Sequence, residues 1–221
     1  MEKNRGTVSF SDADTRSLKR VLNAGSGSHS ARKLHSIFTQ DVWEEIRIDI
    51  DPQSEPDIVA SITDMSSSCA PQSFDAIWAS HILEHLYAHE VPLALAEFKR
   101  ILKPDGFALV TSPDLEVVVS LILDHGLDHV AYSSPAGPIT PLDMLFGHSD
   151  SIARGRVSMA HNTGFTCASL GQRFVDAGFP VAVVKREKFD LWALGLMQEA
   201  DQASIQRKLL AAGLDIFEQA V

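Results

Sequence analysis

Two stretches of this chain combine residue types that can do chemistry. The first is Val21-Leu22-Asn23-Ala24-Gly25-Ser26-Gly27-Ser28-His29-Ser30, where an apolar run breaks into small, glycine-containing residues. A helix-compatible segment, residues 31–38, follows it. Two glycines let the backbone approach a ligand closely, and a helix start offers unpaired N–H groups and a positive dipole end. That combination suits a nucleotide-like cofactor; the competing reading is a turn that only reverses the chain. The second stretch is His81-Ile82-Leu83-Glu84-His85. On a helix its two imidazoles would share a face, as two ligands of one metal ion require. Between them lies Asp49, roughly 20 residues beyond the glycine turn, where doubly wound nucleotide folds place an acid on ribose hydroxyls. Its alternative role is to cap the turn that follows.

These groups need a frame, and the hydrophobic periodicity supplies one. Strands are expected over Lys19 to Ala24, Trp43 to Ile50, Asp57 to Ile62, Phe74 to Ser80 and Phe107 to Ser112. Pro52 and Pro56 prevent the second from continuing. Ser28 or Ser30 could cap the helix after the glycine turn. Glu90 to Leu102 has helical spacing, and Lys103-Pro104-Asp105-Gly106 reads as a stop and turn. Leu115 to His125 is apolar enough to be a buried helix. Residues 126–164 break the rhythm, and so long an irregular stretch inside a compact domain is usually functional. Thr166 to Ala177 reads as a helix, Val181 to Val184 and Phe189 to Leu196 as a strand hairpin, and Glu199 to Gln219 as a surface helix with Leu209, Leu210 and Ile216 facing the body. Residues 1–17 read as a loosely held lead-in, with Ser11 to Asp14 able to cap a short helix. Strands alternating with helices indicate one α/β domain over residues 1–221, with a mostly parallel sheet covered on both faces.

Composition narrows the partners. The chain has 221 residues, enough for one such domain plus an insertion, and a formal net charge of −10. Scattered Lys and Arg with an acidic balance disfavour a nucleic-acid surface. No long apolar run indicates a membrane span, and the start of the chain lacks the apolar stretch of a signal peptide. Cys69 and Cys167 form no close pair, so neither a disulfide framework nor a CxxC metal site is indicated. The expected compartment is the reducing cytoplasm.

In chain order, these pieces make a sequence similar to the class I S-adenosylmethionine-dependent methyltransferases. The matching fragments are Val21 to His29, Asp49-Ile50-Asp51-Pro52, Asp64-Met65 and Ser73-Phe74-Asp75-Ala76-Ile77-Trp78 leading into Leu83-Glu84-His85-Leu86. Arg100 to Phe107 and Ala177-Gly178-Phe179 complete the series. The resemblance implies a doubly wound α/β fold with a seven-stranded sheet in the order 3-2-1-4-5-7-6, the last strand antiparallel. It implies S-adenosylmethionine as cofactor across the carboxyl ends of the first strands. Gly25, Ser26 and Gly27 would wrap its methionine end, and Asn23, where the family often has an acid, would contact its ammonium. Asp49 would hold the ribose hydroxyls, and Ile50 would pack on the adenine. Asp64 would accept from the adenine amino group beside the Met65 backbone, and Ser80 would sit near the transferring methyl. His29 stands where a third glycine is common.

Methyl transfer requires an aligned nucleophile, dry surroundings and, for a hydroxyl or amine acceptor, a general base. His81, directly after Ser80, is the first candidate base; His148 and His161 are weaker ones, and a structural histidine is the alternative for each. His81 to His85 also fits the H-x-x-E-H pattern of inverted zinc peptidases. The segment follows a parallel strand, however, and Leu-Glu-His-Leu is common in the methyltransferases at this point, so no metal site is expected. Residues 126–164, with Asp143, Met144, Phe146, His148, Arg154, Arg156 and His161, suit a lid over a polar small-molecule acceptor, sugar-like or carboxylated. The alternative is a structural or homodimer-forming insertion. Two other functions fit less well. A nicotinamide-dependent oxidoreductase would want a glycine where Ser30 stands. A non-catalytic cofactor-binding protein would need no catalytic residue.

Overall fold

The computed structural model describes residues 17–28 and 34–217. The sheet is built from β1 (Lys19–Ala24), β2 (Trp43–Asp49), β3 (Ile58–Val59), β4 (Phe74–Ser80) and β5 (Leu102–Pro113), closed by the pair β8 (Val181–Glu187) and β9 (Asp190–Leu196). Its order is β3-β2-β1-β4-β5-β9-β8. Only β9 runs against its neighbours, antiparallel to both β5 and β8. This is the expected topology, with the hairpin at one edge.

Alternation along each strand sends side chains to opposite faces and builds two cores. Leu22, Ala24, Ile77, Ala79, Ala108 and Val110 face one side. There they meet Leu95 and Phe98 of α1 (Val91–Ile101) and Leu170 and Phe174 of α5 (Cys167–Asp176). Helix α1 buries Val91, Ala94, Leu95, Phe98 and Ile101, the spacing of one helical face. Thr166 starts α5 with a reciprocal cap: its hydroxyl accepts from the Ser169 N–H at 3.2 Å. On the other face Val21, Trp78, Phe107, Leu109 and Leu194 pack with Phe38, Trp43, and Leu209 of α6 (Gln202–Ala211).

Several expectations change. Residues 34–38 form a turn rather than the expected helix, closed by the Phe38 N–H donating to the His35 carbonyl at 3.0 Å. Aromatic packing decides this: Phe38 stands edge-on to Trp43, and the His35 ring lies 5.4 Å from both Trp78 and Trp192. Residues 29–33, with His29 and the expected Ser30 cap, lie outside the described residues, as do residues 1–16 and 218–221. The third strand shrinks to Ile58–Val59, because an edge strand needs to pair only with Ile48 and Asp49. Lys103 to Gly106 does not stop the chain before a strand; it lies inside β5, at a register shift between Phe74 and Ala76. Lys103 and Asp75 pin that irregularity with an ion pair at 2.8 Å.

The helix α2 (Leu115–His125) is present but not buried: Val118 alone is inside, and Leu123 is 81% exposed. Residues 126–164 are more regular than their prolines and histidines suggest. They hold the small hairpin β6 (Tyr132–Ser134) and β7 (Gly137–Ile139), then α3 (Pro141–Phe146) and α4 (Ser149–Ala153). The last helix is shorter than expected, and Leu210 faces outward while Leu209 and Ile216 are buried. Cys69 and Cys167 are free thiols. No helix among the described residues is long and apolar enough to cross a membrane.

Candidate active site

The strand order reverses between β1 and β4, and a cavity of about 1070 Å³ opens at the carboxyl ends of these strands. Open α/β sheets bind ligands at such a switch point. Gly25 and Gly27 line it, both in the left-handed region at φ 66° and 63°. Their turn is held from β2. The Gly25 and Ser26 N–H groups donate to the Ile48 carbonyl at 2.9 and 3.1 Å, and the Gly27 N–H donates to Asp49 Oδ2 at 2.8 Å. Asp49 Oδ1 accepts from the Asp51 N–H at 2.9 Å.

Arg47, a residue sequence reasoning missed, locks the same turn from beneath. Its buried guanidinium donates to the carbonyls of Glu55 at 2.7 Å, Ser54 at 3.1 Å and Gly27. In the sequence Arg47 is simply the polar member of an alternating strand, and nothing local marks it as buried. Its several donors let one side chain gather carbonyls from two loops.

Of the residues expected at the site, Gly25, Gly27, Asp49, Ile50, Ser80 and His81 line the cavity. Ile50 is 60% exposed there, an apolar platform beside the acid. Asn23, Ser26, Asp64 and Met65 are not among the lining residues. Asn23 faces along the sheet and donates to Glu45 Oε1 at 2.7 Å. Ser26 is buried, with an Oγ that finds no hydrogen-bond partner. Asp64 turns to its own loop and accepts from the Ser66 hydroxyl at 2.6 Å and N–H at 3.1 Å. The Met65 N–H donates to Glu97 Oε2 at 2.6 Å, with Glu97 itself paired to Arg100. Ala60, Ser61 and Ile62 form the wall on that side instead.

The strand-four exit carries the most densely charged part of the cavity. His81 adopts φ 51°, a left-handed conformation that ordinary residues rarely take, and its N–H donates to the Thr111 carbonyl at 3.0 Å. Its Nδ1 lies 3.1 Å from Glu84 Oε1 and its Nε2 3.6 Å from Asp190 Oδ1. Burial pulls the imidazole down, but hydrogen bonds to Asp190 and Glu84 outweigh it and push the pKa up to about 10. A protonated imidazole donates; it does not act as a resting general base. The His81–His85 stretch is not one helical face either: Leu83–His85 is a 3-10 turn that His81 precedes.

Glu84 is fully buried; burial raises its carboxyl, but His81 and His85 hold it below its usual value. His161, brought from the insertion, lies with its ring centroid 4.9 Å from that of His85. Burial lowers the His161 imidazole, partly opposed by Glu84. Asp143, Met144, His148, Arg154 and Arg156 also line the cavity, whereas Phe146 does not and is exposed.

Asp143 holds the insertion's first helix. It makes a reciprocal cap with Thr140 and accepts from the Ser149 N–H at 2.9 Å and hydroxyl at 2.7 Å. Burial raises its carboxyl, but these Ser149 and Thr140 bonds outweigh it and bring the pKa down from 3.8 to about 2. A depressed carboxylate stabilises the fold above its unfolded value, and the contribution fades as pH falls through the folded one. Protection from hydrogen exchange at residues 140–149, taken relative to the intrinsic rate at each pH, should therefore fall between about pH 4 and about pH 2. Asp143→Asn should exchange faster at pH 6 and lose that step. An identical step in the variant would assign it to another group.

Residues 22–110 match the family model described as "Methyltransferase domain". No curated protein matches the sequence. Among solved structures, the chain is similar to a SAM-dependent methyltransferase from Archaeoglobus fulgidus, with 13% identity, TM-score 0.52, and 81% of this chain and 86% of that one covered. It is similar also to SAM-dependent methyltransferases from Methanosarcina mazei, with 16% identity, TM-score 0.52 and coverage of 81% and 92%. The PH0226 protein from Pyrococcus horikoshii shares 12% identity and TM-score 0.51 over 83% of this chain and 84% of that one. Residues 22–110, which carry the second half of β1, all of β4, the glycine turn and Asp49, thus resemble a methyltransferase domain, and the chain has the fold of the SAM-dependent methyltransferases it is similar to.

Proposed function

We propose that this protein transfers the methyl group of S-adenosylmethionine to a polar small-molecule acceptor. The observation that carries the reading is one cavity lined by Gly25, Gly27, Asp49, Ile50 and Ser80 at the switch point of the sheet. Its residues fit the cofactor. The Asp49 carboxylate offers about four acceptor sites, of which two are used by N–H groups, so it can still take ribose hydroxyls. Ile50 supplies an apolar surface for a flat ring, and the left-handed Gly25 and Gly27 hold backbone against the methionine end. Asn23, Ser26, Asp64 and Met65 contribute from behind the wall, by shaping the strand ends and loops that carry the lining residues.

The size of the cavity supports two ligands. Sites for one drug-sized ligand run about 300–1,000 Å³. The about 1070 Å³ here continues past Ser80 to His148, Arg154, Arg156 and His161 of the insertion. Residues 126–164 act as the acceptor lid in this reading, and its mixture of imidazoles and guanidiniums suits a carboxylated or sugar-like molecule. The net charge of −10 argues against a nucleic-acid acceptor. When bound, the cofactor supplies an electrophilic methyl on a positive sulfonium. The protein's part is to align the acceptor, exclude water and stabilise charge at the Ser80–His81 exit.

Titration calorimetry of the full chain with S-adenosylmethionine and with NAD is the test. Binding of the first and not the second is expected, as is S-adenosylhomocysteine release when a metabolite pool is added. Preference for NAD would replace this reading with the oxidoreductase one. Tight binding without turnover on any fraction would favour a non-catalytic binding protein.

A further inference from the structure

We infer that Glu84, His85 and His161 form a binding site for one divalent transition-metal ion, Zn²⁺ being the best match, on the acceptor side of the cavity. Their ligating atoms all lie within 4.8 Å of one another. A tetrahedral ion at about 2.1 Å needs ligands about 3.4 Å apart, so contraction of at most about 1.4 Å completes the site.

Three observations point to a cation rather than to chance proximity. First, Glu84 Oε2 is buried with no hydrogen-bond partner, on a side chain only 1% exposed. An orphaned carboxylate oxygen is costly unless a proton donor or a cation meets it. Second, both imidazoles are held in the tautomer that frees Nε2. His85 Nδ1 lies 3.1 Å from the Ala160 carbonyl and His161 Nδ1 2.9 Å from the Met144 carbonyl. A carbonyl only accepts, so each Nδ1 must carry the hydrogen and each Nε2 the lone pair. This is the arrangement outer-shell carbonyls impose on metal-binding histidines. Third, the two segments are stitched together by backbone. The Asn162 and Thr163 N–H groups donate to the Glu84 carbonyl at 2.8 and 3.2 Å, and the Asn162 amide donates to the His85 carbonyl at 2.8 Å.

The site differs from the H-x-x-E-H reading of the sequence. His81 is not a ligand; its Nδ1 engages Glu84 Oε1 and so orients the carboxylate from behind. The third ligand comes from the insertion instead, a residue no local pattern could pair with Glu84. Two imidazoles and one carboxylate are the donor set of catalytic zinc sites, which keep a position open. Mg²⁺ prefers all-oxygen surroundings and suits it poorly.

All three residues line the same cavity as Ser80 and Asp49. An open coordination position there can take an oxygen of the acceptor. A Zn²⁺ ion held here would lower the pKa of a bound water to about 7 and acidify a bound hydroxyl in the same way, the proton passing to solvent. The acceptor class that follows is a hydroxyl compound with a neighbouring carboxylate or second oxygen able to chelate. This last step rests on the methyl-transfer reading above; the metal site does not.

The test uses the full chain, stripped with chelator and titrated with Zn²⁺ alone by calorimetry, followed by elemental analysis after dialysis. One equivalent per chain is expected, with Mg²⁺ bound far more weakly. His161→Gln should weaken Zn²⁺ binding by at least about 100-fold. Its circular dichroism should match that of the parent, and His85→Gln serves the same comparison should His161→Gln not fold. Parent binding no tighter than that of a folded variant, or a preference for Mg²⁺, overturns the site. S-adenosylmethionine titration of the same parent sample separates the two readings. Cofactor binding without zinc sinks only the metal site, and zinc without cofactor binding sinks only methyl transfer.

Discussion

Gly25→Ala is expected to reduce S-adenosylmethionine affinity by at least about tenfold, while the domain stays folded. Two costs combine at this position. At φ 66° an alanine would sit in a region that costs an L-residue about 1–2 kcal/mol. The added Cβ would also stand 2.5 Å from Ile82 Cδ1 and 2.7 Å from Cγ1, closer than carbon atoms approach. Either the glycine turn or the Ile82 segment must move, and both line the cavity. The turn is tied to Asp49 through the Gly27 N–H, so its displacement reaches the proposed ribose acceptor as well. Tenfold in affinity is about 1.4 kcal/mol, within the strain at hand. Domains are typically stable by about 5–15 kcal/mol, so folding should survive. Calorimetry with the cofactor and a thermal melt measure the two effects. Adding Ile82→Ala should recover the part due to the clash and not the part due to φ. Unaltered affinity in Gly25→Ala would show that this turn does not touch the cofactor.

The second large effect is on stability. Arg186→Met should destabilise the fold by about 3 kcal/mol, at the lower end of what breaking a buried ion pair costs. Asp114 has 0% exposure, and its Oδ1 caps α2 by accepting from the Glu116 N–H at 2.9 Å. Its Oδ2 is met by Arg186 Nε, while the same guanidinium reaches Glu116. Removing the guanidinium leaves a carboxylate buried without its counter-charge. Arg186 itself is partly exposed, so water can reach part of the vacated space and keeps the cost from rising further. For a chain of this size the melting temperature should fall by roughly 6–12 °C. Asp114→Asn in the same background should restore part of the loss, because the uncompensated charge is then gone. Arg186→Lys should recover less than full stability, since an ammonium cannot span both carboxylates as the planar fork does. A melting temperature unchanged in Arg186→Met would mean that Asp114 is satisfied by its cap and solvent alone.

Much of the frame was legible before any coordinates, because it depends on local periodicity. β1 and β4 occur where alternation and apolar runs place them, and the hairpin β8–β9 closes the sheet in the order that the family resemblance implied. Burial was less legible. Leu115–His125 is apolar enough to be a core helix, yet only Val118 is inside. A helix's composition does not say how many of its faces find a neighbour. Residues 34–38 depart from the expected helix for a related reason: the Phe38, Trp43 and Trp78 rings, brought together from separate elements, hold them in a packed turn.

The sequence alone determined the α/β class and the glycine turn with its acid on the next strand. Both rest on spacing within a few residues or on the order of elements along the chain. Tertiary structure alone decided which polar groups meet. It put Arg47 under the glycine turn, tied Asn23 to Glu45 rather than to the cavity, and charged His81 between Glu84 and Asp190. It also brought His161, from the insertion, to Glu84 and His85. Buried polar side chains are satisfied by whichever partners the folded backbone delivers, and those partners leave no periodicity in the sequence.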